Sequence, residues 1–508
     1  MIPSSLARRV ALLLVLAGAT CGLTRCKTTW FDETAYASSA VNWCVNGNTG
    51  PSIYPGLDGA DVSIYPAHAI TLGMFYNVFG IGLLQTRAFG LICYVGVLCT
   101  FYLLVRQLGC RAVVAQMALL LVATDRSLVW QVRTGRPDIF AILLICASSY
   151  ALVYSVQKSN GHLARLAASL GGAFALLAPL AHPYTVPAVL IICLSFFVAL
   201  WRGKLFGLLL VPLLLGCLLP AIPYLGYLYY HREVIVLLFF RSSQFLNEVN
   251  TQTPGLGDLL RQEITQRWVP AIAVEPFRLV LALCGVAILW KRNRCILGIV
   301  SVWIVTYFLI CWLKVPKDTH YQVLQITIPM GVLVAMTMEA AGIALGKREA
   351  VSTSTLARTV AIMWWCSFAV GIGLLMLYPL TAIMQWQERS HNNLVLEISN
   401  CIPRHSIVAV DPSAYFACLE NDCRTCYWRL KDRGSWGDED MQKTYQRGLL
   451  DRGVEYLVLN HTSSRSTSLS NQTCRIEFLD TIGMPKANLP FAKDPPYHFD
   501  VYRVVRAK

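Results

Sequence analysis

The sequence predicts a mainly α protein: a polytopic membrane bundle of about eleven transmembrane helices, followed by a small extracytoplasmic α/β domain. Three observations predict it. The 508 residues are 55% hydrophobic and only 14% charged, with mean hydropathy +0.51, where a soluble domain carries roughly 25% charged residues. The apolar residues gather in runs long enough to cross a bilayer, and the basic residues cluster between alternate runs. The net charge of +14 therefore reports membrane sidedness. No basic stripe interleaved with aromatics occurs, which argues against a nucleic-acid partner.

A span needs about 20 apolar residues, fewer where neighbouring helices or thinned lipid shelter its ends. On that measure spans fall at 7–24, 83–105, 112–130, 138–157, 163–181, 184–201, 205–225, 277–290, 295–313, 321–345 and 359–379. With the N-terminus inside, the cytoplasmic segments hold Arg8, Arg9, Arg106, Arg111, Lys158, Arg165, Arg202, Lys204, Lys291, Arg292, Arg294, Lys347, Arg348 and Arg358. Against these stands one clear acid, Glu349. That is the positive-inside pattern, and an odd number of spans puts the C-terminal part outside. Residues 1–24 also fit a cleaved signal peptide, with Arg8 and Arg9 before an apolar core.

The outer face then carries a loop at 25–82, the turn 131–137, the segment 226–276 and everything beyond 380. The chain divides accordingly into a membrane domain, 1–380, and an outer domain, 381–508. The outer domain alternates strand-like and helix-like segments: Ser406–Val410, a helix near Asp438–Arg452 closed by Gly453, Val454–Leu459, and a last strand near His498–Val505. Eleven of the 18 cysteines lie in spans or at their inner ends, as small apolar residues. The outer ones are Cys26, Cys44, Cys401, Cys418, Cys423, Cys426 and Cys474; an oxidising outer face would pair some of them. Cys418, Cys423 and Cys426 suggest zinc, but no histidine stands at a suitable spacing. Asn460-His-Thr and Asn471-Gln-Thr match the glycosylation sequon.

Four segments on the outer face carry chemistry. Trp30-Phe31-Asp32-Glu33 follows the first span; a carboxylate there suits a general base, and equally suits the first turn of a helix. Arg133-Thr-Gly-Arg136-Pro137-Asp138 joins two spans. Two guanidiniums can grip a phosphate, while Pro137 and Asp138 also read as a helix start. Ala181-His182-Pro183-Tyr184 closes the fifth span, with His182 either structural or functional. Lys314-Val-Pro-Lys317-Asp318-Thr-His320-Tyr321 enters the tenth span from outside; its cations could meet a lipid phosphate or snorkel as anchors. Charged edges without a shared task would be spread over both faces.

The order of these segments resembles the GT-C membrane glycosyltransferases of the protein O-mannosyltransferase and aminoarabinose-transferase type. An Asp-Glu pair follows the first span. Tyr65-Pro66-Ala67-His68 comes next, then an amphipathic stretch to Asn77-Val-Phe-Gly-Ile, and Arg87 opens the second span. Arg136-Pro-Asp138, His182-Pro183 and Lys317 through Pro329 follow. The resemblance covers residues 7 to about 345, and rests on the order and sidedness of short motifs. It implies an inverting transfer from a polyprenyl- or dolichyl-phosphate-linked sugar to a hydroxyl of a glycan, lipid or protein acceptor. The protein would sit in the plasma (inner) membrane, with its active site and outer domain extracytoplasmic. Carried over by position, Asp32 is the base and Glu33 supports it or binds. His68, Arg133, Arg136, Asp138 and His182 would line the donor site, with Lys317, His320 and Tyr321 near the carrier phosphate. Related bacterial enzymes often have Lys-Pro-Pro where this chain has Tyr65-Pro66-Ala67; the lysine's place falls to His68, or to Lys317 and Arg133. No cofactor is assigned. A divalent metal could sit among Asp32, Glu33 and Asp138, which are too few and scattered to argue one. A flippase or transporter of lipid-linked sugar would show inverted repeats and charges near mid-bilayer. A scaffold would not need acids and arginines collected at one face.

Overall fold

The computed structural model describes residues 5–25, 31–51, 53, 63, 65–158, 161–203, 205–233, 261, 265, 276–292, 327–346, 351–428, 446–461, 474–483 and 497–506. The expected span 295–313 and the site candidates Lys317, His320 and Tyr321 lie outside these residues, as does the first half of the helix expected near 438–452.

The described helices are α1 (Ser5–Thr20), α2 (Phe31–Asn46), α3 (Pro66–Phe79), α4 (Leu83–Gln107), α5 (Ala112–Ala123), α6 (Arg126–Val132), α7 (Pro137–Lys158) and α8 (His162–Ala181). Then come α9 (Val186–Arg202), α10 (Phe206–Tyr230), α11 (Pro276–Arg292), α12 (Thr327–Gly346), α13 (Val351–Met384), α14 (His391–Cys401) and α15 (Tyr415–Glu420). Among them α4, α7, α8, α10, α9 together with the turn Pro183–Thr185 before it, and α13 from Ala357 onward are long and apolar enough to cross a membrane. The chain is thus an integral, multi-pass membrane protein.

The segment 112–130, expected as one span, is built of two helices, α5 and α6, bent by 65° at the break, and the pair together is apolar enough to count as one broken span. The cause is local. Asp125 caps α6, its Oδ1 accepting from the Leu128 N–H at 2.9 Å, and its Oδ2 accepts from Arg278 of α11 at 2.5 Å. A capped new start forbids a continuous helix through Thr124. The bend carries α6 toward the turn at 133–136.

Close packing sets α7 between α4 and α8. Small residues allow it: a Cβ on Gly216 of α10 would fall 1.9 Å from the Ser169 carbonyl of α8, so only glycine lets these two helices meet.

The C-terminal part holds a five-stranded sheet: β1 (Ile407–Val410), β2 (Arg424–Tyr427), β3 (Tyr456–Asn460), β4 (Cys474–Gly483) and β5 (His498–Arg506), in order β2-β1-β3-β5-β4. β2, β1 and β3 run parallel; β5 is antiparallel to both β3 and β4. One face, with Val408, Val410, Val458, Phe499 and Val501, buries against Leu394 and Ile398 of α14 and Phe416 of α15. The same core takes in Ala37 of α2, Ile53 and Leu83 of α4. The other face packs Ala409, Cys426 and Leu457 on Leu449 and Leu450. Cys418, Cys423 and Cys426 are free thiols. Strand alternation puts Cys426 on one face and Cys418 and Cys423 in the opposite core, so the three do not converge as metal ligands.

Polar ties reinforce this seam. The Leu83 N–H, at the start of α4, donates to Glu420 Oε1 at 3.0 Å, and His391 Nε2 lies 3.1 Å from the same oxygen. The Tyr427 hydroxyl bonds Thr34 of α2, and the Tyr427 N–H donates to the Ile53 carbonyl at 2.9 Å.

Candidate active site

Two buried arginines build the ground on which the site stands. The carbonyls at the end of α1 have no helical partner. Arg133 reaches them, its Nη2 donating to the Gly18 and Cys21 carbonyls at 2.9 and 2.6 Å, with Tyr378 beneath its guanidinium at 4.6 Å. Arg87 grips Glu33 with two parallel bonds of 2.7 and 2.9 Å and donates from Nη1 to the Leu23 carbonyl at 2.7 Å. Both members of the Arg87–Glu33 pair are fully buried. Together the two arginines fix where α1 ends and α2 begins. By its place in the sequence Arg87 marks only the start of a span; its pairing with an acid 54 positions earlier leaves no local signal.

Asp32 sits beside Glu33 in the first turn of α2, where a negative charge complements the helix dipole. Its Oδ2 accepts from Arg136 Nη1 at 2.6 Å. Arg136 in turn donates from Nε to Asp138 Oδ2 at 2.9 Å. Asp138 lies in the first turn of α7, just after Pro137, whose ring suits that position. Its Oδ1 is 3.5 Å from His182 Nε2. His182 closes α8, and its Nδ1 accepts from the Tyr184 N–H at 3.3 Å. That bond turns Nε2 toward Asp138.

Gly135 lets the chain turn between α6 and α7. It holds φ +54, and a Cβ there would fall 2.5 Å from Thr86 Cγ2. The turn sends the two arginines that flank it to different partners, Arg133 to α1 and Arg136 to the carboxylates.

Aromatic rings surround the acid–arginine chain. Tyr36 and Trp130 lie 5.6 and 5.7 Å from the Arg136 guanidinium, within cation–π range. Tyr65 meets Tyr36 edge-on at 4.9 Å, and its ring stands 5.3 Å from His182, which has Tyr184 at 5.3 Å. His68, in the first turn of α3, is buried, and its Nε2 has no hydrogen-bond partner among the described residues. Burial pushes its imidazolium down to about 3; Asp138 pulls the other way and His182 adds to the fall. His68 is therefore neutral at physiological pH, with an open hydrogen-bonding position.

The structure thus brings Asp32, Arg136, Asp138 and His182 into one chain of contacts, with His68 close enough to feel Asp138 and His182. It ties Glu33 to Arg87 and Arg133 to the end of α1. All of these lie at one end of the bundle. The opposite ends of α4 and α7 carry Arg106 and Lys158, and meet through Gln107 and Gln157. No group of three or more histidine, cysteine or acidic side chains suited to a metal occurs among the described residues.

The chain is a membrane protein with the fold of the GT-C glycosyltransferases. It is similar to ArnT, an aminoarabinose transferase from Cupriavidus metallidurans, in its crystal structure bound to undecaprenyl phosphate. The TM-score is 0.60 at 13% identity, over 97% of this chain and 96% of that one. It is similar also to the Archaeoglobus fulgidus oligosaccharyltransferase in complex with zinc and sulfate, with TM-score 0.50 and 12% identity over 89% of this chain and 67% of that one. The arabinofuranosyltransferase AftD from Mycobacteria gives TM-score 0.51 and 14% identity over 99% of this chain and 42% of that one. No protein-family profile and no curated protein sequence matches the chain.

Proposed function

We propose that the chain is an inverting glycosyltransferase that moves a sugar from a polyprenyl- or dolichyl-phosphate carrier to an acceptor hydroxyl on the extracytoplasmic side. The observation that carries the reading is Asp32, a carboxylate with 10% of its side chain exposed, held by Arg136 at the end of the bundle away from Arg106 and Lys158. The carrier is supported by the undecaprenyl phosphate bound to the ArnT neighbour. The side is supported by the distribution of basic residues.

In the proposed displacement, the acceptor oxygen attacks the anomeric carbon as the bond from that carbon to the phosphate oxygen breaks. The acceptor proton passes to Asp32, and the carrier leaves as the polyprenyl phosphate. Arg136 holds one carboxylate oxygen and sets the direction of the other. Asp138 holds Arg136 in turn, and His182 Nε2 stands 3.5 Å from the other Asp138 oxygen. The neutral His68 and the rings of Tyr36 and Tyr65 fit a sugar, with a hydrogen bond and stacking faces. Lys317, His320 and Tyr321 are assigned to the phosphate by their order in the chain. Arg133 and Glu33 act by positioning, through the end of α1 and the start of α2. The Arg136 guanidinium already bridges Asp32 and Asp138, so these two carboxylates do not form a ready cage for a divalent metal.

The test is sugar release from labelled polyprenyl-phosphate sugars by the purified full-length protein in detergent or nanodiscs. Time-dependent release of the free carrier phosphate supports the reading. Movement of the intact lipid-linked sugar across proteoliposomes, with no bond cleavage, would replace it with transport.

A further inference from the structure

Aromatic rings crowd the C-terminal end of α10. Tyr229 and Tyr230 are exposed, as tyrosines at a membrane interface are. Tyr227 differs: it is half-buried and meets the connection between α2 and α3. Its hydroxyl accepts from the Ser63 N–H at 3.1 Å, donates to the Ser63 carbonyl at 3.3 Å and lies 3.0 Å from Thr49 Oγ1. Its ring stands 6.2 Å from that of Tyr224 and 4.8 Å from that of His231. One oxygen atom of α10 therefore gathers two points of the chain that lie 178 and 164 positions earlier.

Thr49 and Ser63 are buried, yet they lie outside any helix or strand. Buried backbone groups in such places need partners from elsewhere, and the Tyr227 hydroxyl serves both those of Ser63. Ser63 passes the constraint on, its Oγ accepting from the Tyr65 N–H at 3.0 Å. Tyr65 is the N-cap position of α3 and makes no side-chain cap of its own. The entry to α3 is therefore set by Ser63 and, through it, by Tyr227. That entry carries the Tyr65 ring, which meets Tyr36 and His182, and His68 three residues on. The far wall is firm. α10 packs along α8 with no room for a Cβ at Gly216, and His182 closes α8. Tyr65 is thus held from both sides by the ends of two helices that are locked together.

Resting on the glycosyltransferase reading, we propose that Tyr227 is a positioning residue for the sugar end of the donor. It touches no reacting atom. Its hydroxyl fixes Ser63, Ser63 fixes the start of α3, and Tyr65 and His68 are thereby set as a stacking face and a hydrogen-bonding group for the sugar. The carrier phosphate falls to other residues, so loss of the Tyr227 hydroxyl acts on the sugar end. Phenylalanine at 227 keeps the ring against Tyr224 and His231, but leaves the buried polar groups of Ser63 and Thr49 short of a partner.

Two measurements on the full-length protein in nanodiscs test the proposal. In hydrogen exchange without ligand, Tyr227→Phe should quicken the Ser63 and Tyr65 amides about tenfold, the scale of one lost hydrogen bond, and leave α7 and α8 at wild-type protection. In equilibrium binding, it should weaken a polyprenyl-phosphate-linked sugar about tenfold and leave the bare polyprenyl phosphate unaltered. A general loss of structure would weaken both lipids alike. Tyr224→Phe, which removes the hydroxyl of the neighbouring ring, should match the wild type in both measurements. Ser63→Ala removes the acceptor of the Tyr65 N–H with Tyr227 intact; it should reproduce the split between the two lipids, and serves where Tyr227→Phe folds poorly. Unaltered exchange at Ser63 and Tyr65 in Tyr227→Phe, or equal affinity changes for the sugar-linked and bare carriers, overturns the proposal. Failure of the glycosyltransferase reading would appear instead in the wild type, as binding of neither lipid and no release of sugar.

Discussion

Arg136 and Asp32, 104 positions apart in the chain, meet side chain to side chain, with Nη1 2.6 Å from Oδ2. The same guanidinium holds Asp138, so one residue of the turn before α7 orients two carboxylates from different helices. Arg136→Lys keeps the charge but cannot serve both with a planar fork. The expected outcome is a folded protein whose transfer rate falls at least about tenfold, the scale of one misaligned charge-assisted hydrogen bond. Wild-type turnover by this variant would remove Arg136 from the mechanism.

The Arg87–Glu33 pair is a prediction about stability. Breaking a fully buried ion pair from one side typically costs about 3–5 kcal/mol, whereas replacing both members by apolar residues of similar volume is often neutral. Arg87→Met alone should therefore lower the unfolding temperature sharply in detergent. Arg87→Met with Glu33→Leu should recover most of the loss. Equal destabilisation by the single and double variants would contradict this account of the pair.

The seam between sheet and bundle should depend on pH. Burial alone would raise the Glu420 carboxyl; the hydrogen bond and charge of His391 and the Leu83 N–H outweigh it, leaving the group below its ordinary 4.5. A depressed carboxylate contributes stability that is full above its unfolded pKa and is lost as pH falls through the folded one. Hydrogen exchange at the start of α4 and in α14 should therefore be slow at neutral pH and quicken below about pH 4.5. Glu420→Gln should flatten that dependence. An unchanged acid profile in the variant would show that Glu420 does not hold the seam.

How far the sequence could be read depended on whether a signal was local. Apolar runs and alternating charge are local, and the long helices α4, α7, α8, α9 and α10 lie where those runs fall. Asp32, Arg136, Asp138 and His182 stood in short motifs at one face, but their mutual contacts are long-range and had no mark in the motifs. Arg133 and Arg136 looked equivalent because both flank one turn; the positive φ of Gly135 and the direction of α6 part them. The break at Thr124-Asp125 did carry a capping signal, masked by the apolar residues on either side. Strands β2 and β4 went unforeseen for opposite reasons. β2 has four residues beside a cysteine cluster, and β4 has Phe478 and Leu479 exposed, which obscures a two-residue alternation.

The central claim is that Asp32 takes the acceptor proton. Asparagine at 32 keeps the shape but cannot accept a proton, and loss of a general base typically costs about 10²–10⁴ in rate. The direct measurement is single-turnover transfer from a labelled polyprenyl-phosphate sugar by Asp32→Asn, beside equilibrium donor binding by the same preparation. The account predicts a folded, membrane-inserted protein with donor binding close to wild type and transfer slowed at least about a hundredfold. Transfer within a few-fold of wild type would leave Asp32 a structural partner of Arg136 and contradict the mechanism.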